Sequence, residues 1–428
     1  MAKLSSPFRG TGGPFLFAWR YFKAKKSTNA INIIAWISIV AMTFGTAALI
    51  LVLSVFNGFE GMVKSLYSTF YSDIKIFPSQ GKVLTLTAEQ IKKIRGSTGI
   101  KDISLVAEEK GLLQNSGLDR DSAEYNFQRA VTIKGVDENY KNMSGIIHNV
   151  VRGDFSTGND ETPYMVLGVG VEDALHIEAD KNLFPIKAYL PKKDSSVLID
   201  PLRNVSAGFV NTSGVFVIQQ EFDFNYAITN LDFVKKLSGL SKDEYTGAEI
   251  AVHDPGNADD IKEQLQQLLG KNYSVQTRYE QNQSLYSVMT GEKWFVYAVL
   301  VLIMFIFSFT IVSSLTMLVL EKQKDISILH ALGGNNNFIQ RIFLSEGLLI
   351  GIIGGVLGII LALIIAWLQV NYKLVPLQGG SFLIDYYPVK LNWPDFVLVA
   401  ATVLFIALLA SWIPARKAAN QEFSLRSE

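Results

Sequence analysis

The sequence predicts an α-helical membrane protein with four transmembrane helices and a large α+β domain inserted between the first and second of them. Four apolar runs, each about 18 to 27 residues long and free of Asp, Glu, Lys, Arg and His, predict the helices. A soluble protein rarely needs four such helices in its core, so membrane spans explain the runs better than burial does. The runs are Ile31–Phe56, Trp294–Leu320, Gly347–Leu368 and Phe396–Ile413.

The first run follows a basic segment of thirty residues that contains six Lys or Arg residues and no acid. A cleavable signal peptide has a shorter apolar stretch, roughly 7 to 15 residues, and ends in a small-x-small cleavage site, so this run predicts a retained anchor. Basic residues mark the cytoplasmic side of a membrane protein. We therefore expect both termini and the segment between the second and third runs to be cytoplasmic, with the large domain outside.

The large domain, between Asp73 and Glu292, has the composition of a globular α+β protein. A strand, helix and strand are predicted near its start by SDIKIFP, TAEQIKKIRG and DISLVAEEKGLLQ, and again near its end by TGAEIAVHD, NADDIKEQLQQLLG and YSVQTRYE. A β-rich stretch at about 163–225 is inserted between these two units. The chain has no cysteine, so the domain contains no disulfide and depends on its core.

Inside the β-rich stretch, a connection of some twenty residues, 190–214, separates the predicted strands FPIKAYL and VFVIQQEF. Loops of that length are usually functional or disordered. A surface excursion or an extra hairpin explains the connection as well as a partner-binding arm does.

Catalytic constellations are missing from the sequence. The four histidines stand alone, and neither G-x-S-x-G, H-E-x-x-H nor a cysteine nucleophile occurs. The P-loop pattern is also missing, so the chain cannot itself be a P-loop ATPase. The apolar runs lack the ionisable groups that ion-coupled transport needs at membrane depth. We expect a non-catalytic binding or force-transmitting protein that binds no cofactor or metal itself and has no nucleic-acid partner.

Two patterns concern the helices around and within the membrane. Amphipathic stalks are predicted by FNGFEGMVKSLYSTF, which continues the first run, and by NQSLYSVMTGEKW, which precedes the second. Glycines four residues apart in the third run predict a surface for close packing against a neighbouring helix. These pairs are 347/351, 351/355 and 354/358.

A short charged helix, EKQKDISILHALGG, lies between the second and third runs. Ile326, Leu329 and either Ala331 or Leu332 predict an apolar stripe on it, with a polar rim of Lys322, Lys324 and Asp325. The double glycine at 333–334 ends the helix, and NFIQRIFLSEG returns the chain to the membrane. Such a helix can seat in a groove of a partner protein, or it can lie on the lipid surface.

Four motifs together give the chain a resemblance to the lipoprotein-releasing ABC permeases, a family within the mechanotransmitting, macrolide-exporter-type permeases. FAWRYFKAKK is similar to the family's cytoplasmic approach to span one, EKQKDISILHALGG to its coupling helix and IPARKAAN to its exit from span four. In LILVLSVFNGFE, residues Asn57, Gly58, Phe59 and Glu60 match a recurrent N-G-F-E. His330 departs from the family, which often has Arg or Gln there.

The resemblance implies a complex in the bacterial inner membrane. Two permease subunits, identical or paralogous, would pair with a dimer of ABC ATPase subunits that use ATP and Mg. Lipoproteins would leave the surrounding membrane lipid for a periplasmic carrier chaperone. Residues 191–213 occupy the position of a chaperone-binding hook in one permease type, which implies chaperone contacts at Pro201, Leu202 and Arg203.

Two further sets of site residues are predicted on this basis. The face of span one that would accept acyl chains has helical spacing, although core packing would produce the same pattern. It comprises Phe44, Ala48, Leu51, Val55 and Phe59. The residues predicted to contact the ATPase are Lys322, Lys324, Asp325, Ile326, Leu329, Leu332 and Gly333.

The predicted function is thus that of a permease subunit that extracts lipoproteins. Drug or peptide export, regulation of cell-wall enzymes, and a non-transport receptor or scaffold are the alternatives. The predicted organisation is a cytoplasmic segment (1–30), transmembrane helix 1 (31–57), a periplasmic domain with stalks (58–293), transmembrane helix 2 (294–320), a cytoplasmic coupling segment (321–346), transmembrane helix 3 (347–369), a periplasmic loop (370–394), transmembrane helix 4 (395–413) and a cytoplasmic tail (414–428).

Overall fold

A computed structural model describes residues 29–116, 127–181, 183–193, 204–377 and 386–420 of the chain. These residues divide into two compact units. The helical unit contains the chain up to Gly61, Val288–Leu377 and the residues from Tyr386 onward. The sheet unit contains Met62–Ser287.

The secondary structure alternates long helices with a strand-rich middle region. In chain order the helices are α1 (Asn29–Phe70), α2 (Ala88–Arg95), α3 (Tyr140–Met143), α4 (Val169–Leu175), α5 (Gln220–Asn225), α6 (Leu231–Ser238), α7 (Ala258–Leu269), α8 (Arg278–Gln281), α9 (Gln283–Glu321), α10 (Gln323–Ala331), α11 (Asn336–Tyr372) and α12 (Trp393–Ala419). The strands are β1 (Ile74–Pro78), β2 (Leu84–Thr85), β3 (Ile100–Asn115), β4 (Gln128–Val136), β5 (Val150–Gly153), β6 (Tyr164–Gly168), β7 (Ile186–Pro191), β8 (Val205–Phe216), β9 (Tyr226–Asn230), β10 (Glu244–Tyr245), β11 (Gly247–Val252) and β12 (Tyr273–Thr277).

Four helices among the described residues, α1, α9, α11 and α12, are long and apolar enough to cross a membrane. They coincide with the four apolar runs, so the prediction of four such helices is confirmed. All four are longer than their runs; in particular, α1 continues without a break to Phe70, and α9 begins as early as Gln283. The helices therefore extend through both segments that were predicted to be stalks.

The glycines of α11 allow two helices to approach it closely. A Cβ added to Gly351 would lie 2.5 Å from the Cβ of Ala407 on α12, and one added to Gly354 would lie 2.6 Å from the Cβ of Met42 on α1. Both distances are shorter than van der Waals contact, so a side chain at either position would push the helices apart. The expected close packing is therefore present, with one glycine row against each neighbour: Gly347, Gly351 and Gly355 against α12, and Gly354 and Gly358 against α1.

Among the described residues of the sheet unit, ten strands form one sheet, mostly antiparallel, in the order β12-β1-β11-β3-β4-β9-β6-β8-β5, and β7 pairs with β3 and β8. The two predicted strand-helix-strand units are present, but they interlock. Strand β11 of the second strand-helix-strand motif lies between β1 and β3 of the first motif, and β1 lies between β11 and β12. Strands from the predicted insert extend the same sheet, because β7 pairs with β3, and β6 pairs with β9, which in turn pairs with β4. The large domain is thus richer in sheet than the sequence predicted.

Two local predictions in the insert were wrong. The predicted connection 190–214 is shorter, because β8 begins at Val205 and pairs residue by residue with β7, from Pro191↔Val205 to Ile186↔Val210. The predicted strand VFVIQQEF ends at Phe216, and its last residues belong to α5. A carboxylate oxygen of Asp223 accepts a hydrogen bond from the backbone N–H of Ile218 at 2.8 Å, which holds the chain in a turn after β8.

A group of four charges, three of them buried and Glu108 partly exposed, crosses the neighbouring strands β1, β11, β3 and β4. The Nζ of Lys134 lies 2.7 Å from Glu249 and 3.3 Å from Glu108, and the Nζ of Lys75 lies 2.8 Å from Glu108 and 3.3 Å from Glu249. The ammonium group of Lys134 also lies over the ring of Phe70, 5.0 Å from its centroid. Since each buried charge has two partners of opposite sign, the group is neutral and its members are compensated.

Candidate coupling and acyl-binding sites

The predicted apolar stripe of the short helix α10 is packed inside the helical unit. Ile326 is 3% exposed and belongs to the core of that unit, and Leu329 is 8% exposed. Leu329 packs against Phe338 and Ile342 at the start of α11. These two residues therefore attach α10 to the neighbouring helix and do not present a surface to another protein.

A second apolar pair on α10 faces outward. Ile328 is 58% exposed and Leu332, the residue after the helix, is 66% exposed. Lys324, four residues before Ile328, is exposed on the same side. Lys322 and Asp325 are only partly exposed, and the Nζ of Lys322 lies 3.3 Å from a carboxylate oxygen of Asp325. The sequence analysis missed Ile328, although its spacing of four from both Lys324 and Leu332 is a signal for a shared face.

The turn after α10 joins it tightly to α11. Gly333 has φ +89, a conformation that glycine adopts without strain, and the N–H of Gly334 donates to the carbonyl of Leu329 at 2.9 Å. The side chain of Asn335 then accepts a hydrogen bond from the N–H of Phe338 at 2.9 Å and caps α11. A short, hydrogen-bonded turn therefore connects α10 to α11.

The five residues predicted to accept acyl chains lie along one side of α1 that is partly exposed. The side chain of Phe44 is 61% exposed, and the other four are partly exposed. In contrast, Leu49, Ile50 and Leu53 on the opposite side are buried in the core. This face comprises Phe44, Ala48, Leu51, Val55 and Phe59. Core packing accounts for part of its apolar character, because Leu51 packs against the core of the helical unit and Phe59 against Tyr387.

The N-G-F part of the N-G-F-E motif makes three kinds of contact within the helical unit. The side-chain oxygen of Asn57 accepts a hydrogen bond from the Nζ of Lys293 on α9 at 2.7 Å, and its Nδ2 donates to a carboxylate oxygen of Asp395 on α12 at 2.5 Å. A Cβ on Gly58 would lie 2.2 Å from the carbonyl oxygen of Pro388. The ring of Phe59 meets that of Tyr387 edge to face, with centroids 5.8 Å apart.

Sequence reasoning recognised this motif without assigning it a role, because the partners of Asn57 lie 236 and 338 positions further along the chain. The implied chaperone contacts, Pro201, Leu202 and Arg203, lie outside the described residues. In the described ranges, no group of three or more His, Cys, Asp or Glu side chains is arranged to hold a metal ion.

Two family models match the chain. The MacB-like periplasmic core domain matches residues 35–268, more than half of the chain, and the FtsX-like permease C-terminal model matches residues 297–423. Together they cover most of α1 and of the sheet unit, and the chain from within α9 to the end of α12.

Curated relatives match the chain along nearly its whole length. The lipoprotein-releasing system transmembrane protein LolE of Haemophilus influenzae is 26% identical, over 95% of this chain and 97% of its own. The corresponding protein LolC of Neisseria meningitidis is 27% identical, also over 95% of this chain and 97% of its own. The solved periplasmic region of MacB from Actinobacillus actinomycetemcomitans aligns with 53% of this chain and 98% of its own at 11% identity and a TM-score of 0.35, too low a score to define the fold.

The four apolar helices and these matches confirm the resemblance derived from the sequence motifs. The chain belongs to the family of membrane permeases that have a MacB-like periplasmic core domain and an FtsX-like C-terminal region, and within it is similar to the lipoprotein-releasing permeases.

Proposed function

We propose that this protein is the permease subunit of an ATP-driven ABC complex that extracts lipoproteins from the inner membrane and passes them to a periplasmic carrier for delivery to the outer membrane. The observation that carries the proposal is the match to lipoprotein-releasing proteins over 95% of the chain. Export of drugs or peptides and a receptor role are less favoured, because these relatives share both the domain region and the membrane helices.

The proposed topology places both termini and α10 in the cytoplasm and the sheet unit in the periplasm, between the first two membrane helices. The basic N-terminal segment supports this orientation, as do Arg416 and Lys417 in the last turn of α12 and Arg341 near the start of α11. A chain with four spans returns to the side from which it started. A cytoplasmic N-terminus therefore places the C-terminus and α10 in the cytoplasm as well.

The energy for release would come from a separate ATPase dimer that binds ATP and Mg, since this chain has no P-loop. The exposed pair Ile328 and Leu332, flanked by Lys324, is the surface of α10 available for that contact. Ile326 and Leu329 support the contact from behind by holding α10 against α11. A second permease subunit, identical or paralogous, would complete the complex.

The need for ATP follows from the cost of removing lipid anchors. Each buried methylene contributes about 0.8 kcal/mol to membrane attachment, and mature lipoproteins carry several acyl chains. The face of α1 from Phe44 to Phe59 would accept these chains, because Phe44 is exposed and the other apolar side chains on it are partly exposed. Residues 191–213, including Pro201, Leu202 and Arg203, would contact the carrier chaperone.

The coupling surface is tested by co-purification of the ATPase with Ile328→Asp and Leu332→Asp variants. Because both side chains are exposed, the substitutions leave the core intact, and we expect the amount of bound ATPase to fall roughly tenfold or more, as for central apolar residues of an interface. The conservative Ile328→Leu variant is the matched control and should retain the ATPase. Undiminished ATPase binding by both Asp variants would show that α10 is not the coupling surface.

The substrate is tested by depletion of the protein in cells. Lipoproteins destined for the outer membrane should accumulate in the inner membrane, which fractionation of the two membranes measures. Normal sorting after depletion would contradict lipoprotein release and favour one of the alternative functions.

A further inference from the structure

We propose that Asn57 is a positioning residue whose amide clamps α1 to α9 and α12 and so fixes the orientation of the acyl-binding face of α1. The inference rests on the proposed function, because the face that it positions is the one proposed to accept acyl chains. It concerns a residue that contacts no substrate itself and acts through the helix that carries Val55 and Phe59.

The clamp consists of one amide between two opposite charges. The side chain of Asn57 is only 3% exposed, and its oxygen accepts from Lys293 at 2.7 Å while its nitrogen donates to Asp395 at 2.5 Å. An amide suits this position, because it is a neutral group that presents an acceptor to a cation and a donor to an anion at the same time. Hydrogen bonds to charged groups are stronger than those between neutral groups, so the two bonds hold three helices together.

The backbone of α1 on either side of Asn57 also lies close to the segment that leads into α12. The N–H of Lys390 donates to the carbonyl of Ser54 at 2.9 Å, and the carbonyl of Lys390 lies 3.5 Å from Nδ2 of Asn57. Gly58 permits this approach, since any side chain there would collide with the backbone of Pro388. The segment that leads into α12 is thus fastened to α1 on both sides of Asn57.

The clamp determines how α1 is rotated about its own axis. Successive residues of an α-helix are about 100° apart, so Val55 and Phe59, two positions before and after Asn57, point roughly to the opposite side of the helix. Bonds from Asn57 to α9 and α12 therefore turn Val55 and Phe59 away from those helices. Loss of the bonds would remove this constraint on the rotation of α1 near Asn57 and would shift the acyl-binding face there.

The charges permit a decisive test because an amide can reverse its polarity. Rotation of the Asn57 amide by 180° exchanges the positions of its oxygen and nitrogen. The amide can then donate to a carboxylate at position 293 and accept from an ammonium group at position 395. We expect the single variants Lys293→Glu and Asp395→Lys to slow lipoprotein release by roughly tenfold, a typical change in coupling between packed elements. The double variant Lys293→Glu/Asp395→Lys should release lipoprotein within about twofold of the wild-type rate.

Release is measured with the assembled complex in proteoliposomes, with bound ATPase and basal ATP hydrolysis recorded in parallel. The Asn57→Leu variant, nearly equal in size, should slow release to the same extent as the single charge reversals while it retains the ATPase. When the charges at positions 293 and 395 are exchanged in the Asn57→Leu variant, the rate of lipoprotein release should not recover. A role limited to stability would instead lower assembly, release and ATP hydrolysis together.

Thr402→Val is the matched control. The hydroxyl groups of Tyr297 and Thr402 lie 2.6 Å apart and join α9 to α12 without involving α1, so their loss should leave release within about twofold of wild type. Release by Asn57→Leu at the wild-type rate, or a double charge exchange no better than the single variants, would overturn the clamp. Failure of the wild-type complex to release any lipoprotein would instead refute the proposed function.

Discussion

At the scale of single residues, the sheet unit shows how neighbours decide the charge of a buried carboxyl group. Burial alone would raise the pKa of Glu108, but the ammonium groups of Lys75 and Lys134 outweigh it and lower the pKa to about 2. No cation is among the groups that shift the pKa of Asp223. Burial raises its pKa to about 6, and hydrogen bonds from the N–H groups of Ile218 and Gln219 offset only part of the effect.

Asp223 should therefore make the protein less stable as the pH rises from about 4 to about 6. The folded state binds the proton of this group more tightly than the unfolded chain does, so the stabilisation is present at low pH and is lost as the pH passes the folded pKa. The difference between the two pKa values corresponds to about 3 kcal/mol at most. The Asp223→Asn variant resembles the protonated form and should be the more stable protein at pH 7 to 8.

Chemical denaturation of the wild type and the Asn variant at several pH values measures this difference. The two proteins should have similar free energies of unfolding near pH 4 and diverge above it. A constant difference across this range would show that Asp223 has the same pKa in the folded and unfolded states.

At the scale of elements, α11 is the central helix of the helical unit because glycines face two neighbours. A Cβ on Gly358 would lie 2.5 Å from the Cβ of Thr46 and 2.6 Å from the carbonyl oxygen of Thr43 on α1. Gly291 on α9 offers a comparison, since a Cβ there would have no neighbour within 4 Å. The same substitution thus has opposite expected effects at the two sites.

Gly358→Ala should destabilise the protein by about 1 to 3 kcal/mol, because α1 must move to make room for the methyl group. Gly291→Ala should be neutral or stabilising by up to about 1 kcal/mol, because alanine favours the helix and meets no obstacle. Thermal unfolding in detergent compares both variants with wild type. Equal stability of the two variants would contradict close packing between α11 and α1.

The short helix α10 shows why a helical pattern alone left its orientation open. Its sequence carries one apolar pair at Ile326 and Leu329 and another at Ile328 and Leu332. Both pairs have helical spacing, so periodicity cannot say which of them faces inward. Packing of Leu329 against Phe338 and Ile342 selects the first pair for the interior and leaves the second exposed.

At the scale of the whole molecule, the proposed topology can be measured directly because the chain contains no cysteine. Single cysteines at the exposed positions Lys324 on α10 and Gln80 in the sheet unit would report the two sides of the membrane. A membrane-impermeant thiol reagent should label Gln80→Cys in spheroplasts and Lys324→Cys only in inverted vesicles. The reverse pattern would place α10 outside and refute its contact with a cytoplasmic ATPase.

The sequence by itself determined the membrane helices, the family and most local elements. Apolar runs without charges can cross a bilayer only as helices, because every backbone hydrogen bond must then be made within the segment. Two strand-helix-strand motifs also follow from local periodicity. One, made of β1, α2 and β3, lies near the start of the sequence of the sheet unit, and the other, made of β11, α7 and β12, lies near its end.

Only the tertiary structure decided which of these elements meet. The interlocking of β1 and β11, the inward side of α10 and the two charges on Asn57 all depend on residues distant in the sequence. Local patterns record the hydrophobicity and spacing of neighbouring residues, whereas pairing between distant segments depends on shape and charge complementarity that appears only when the chain is folded.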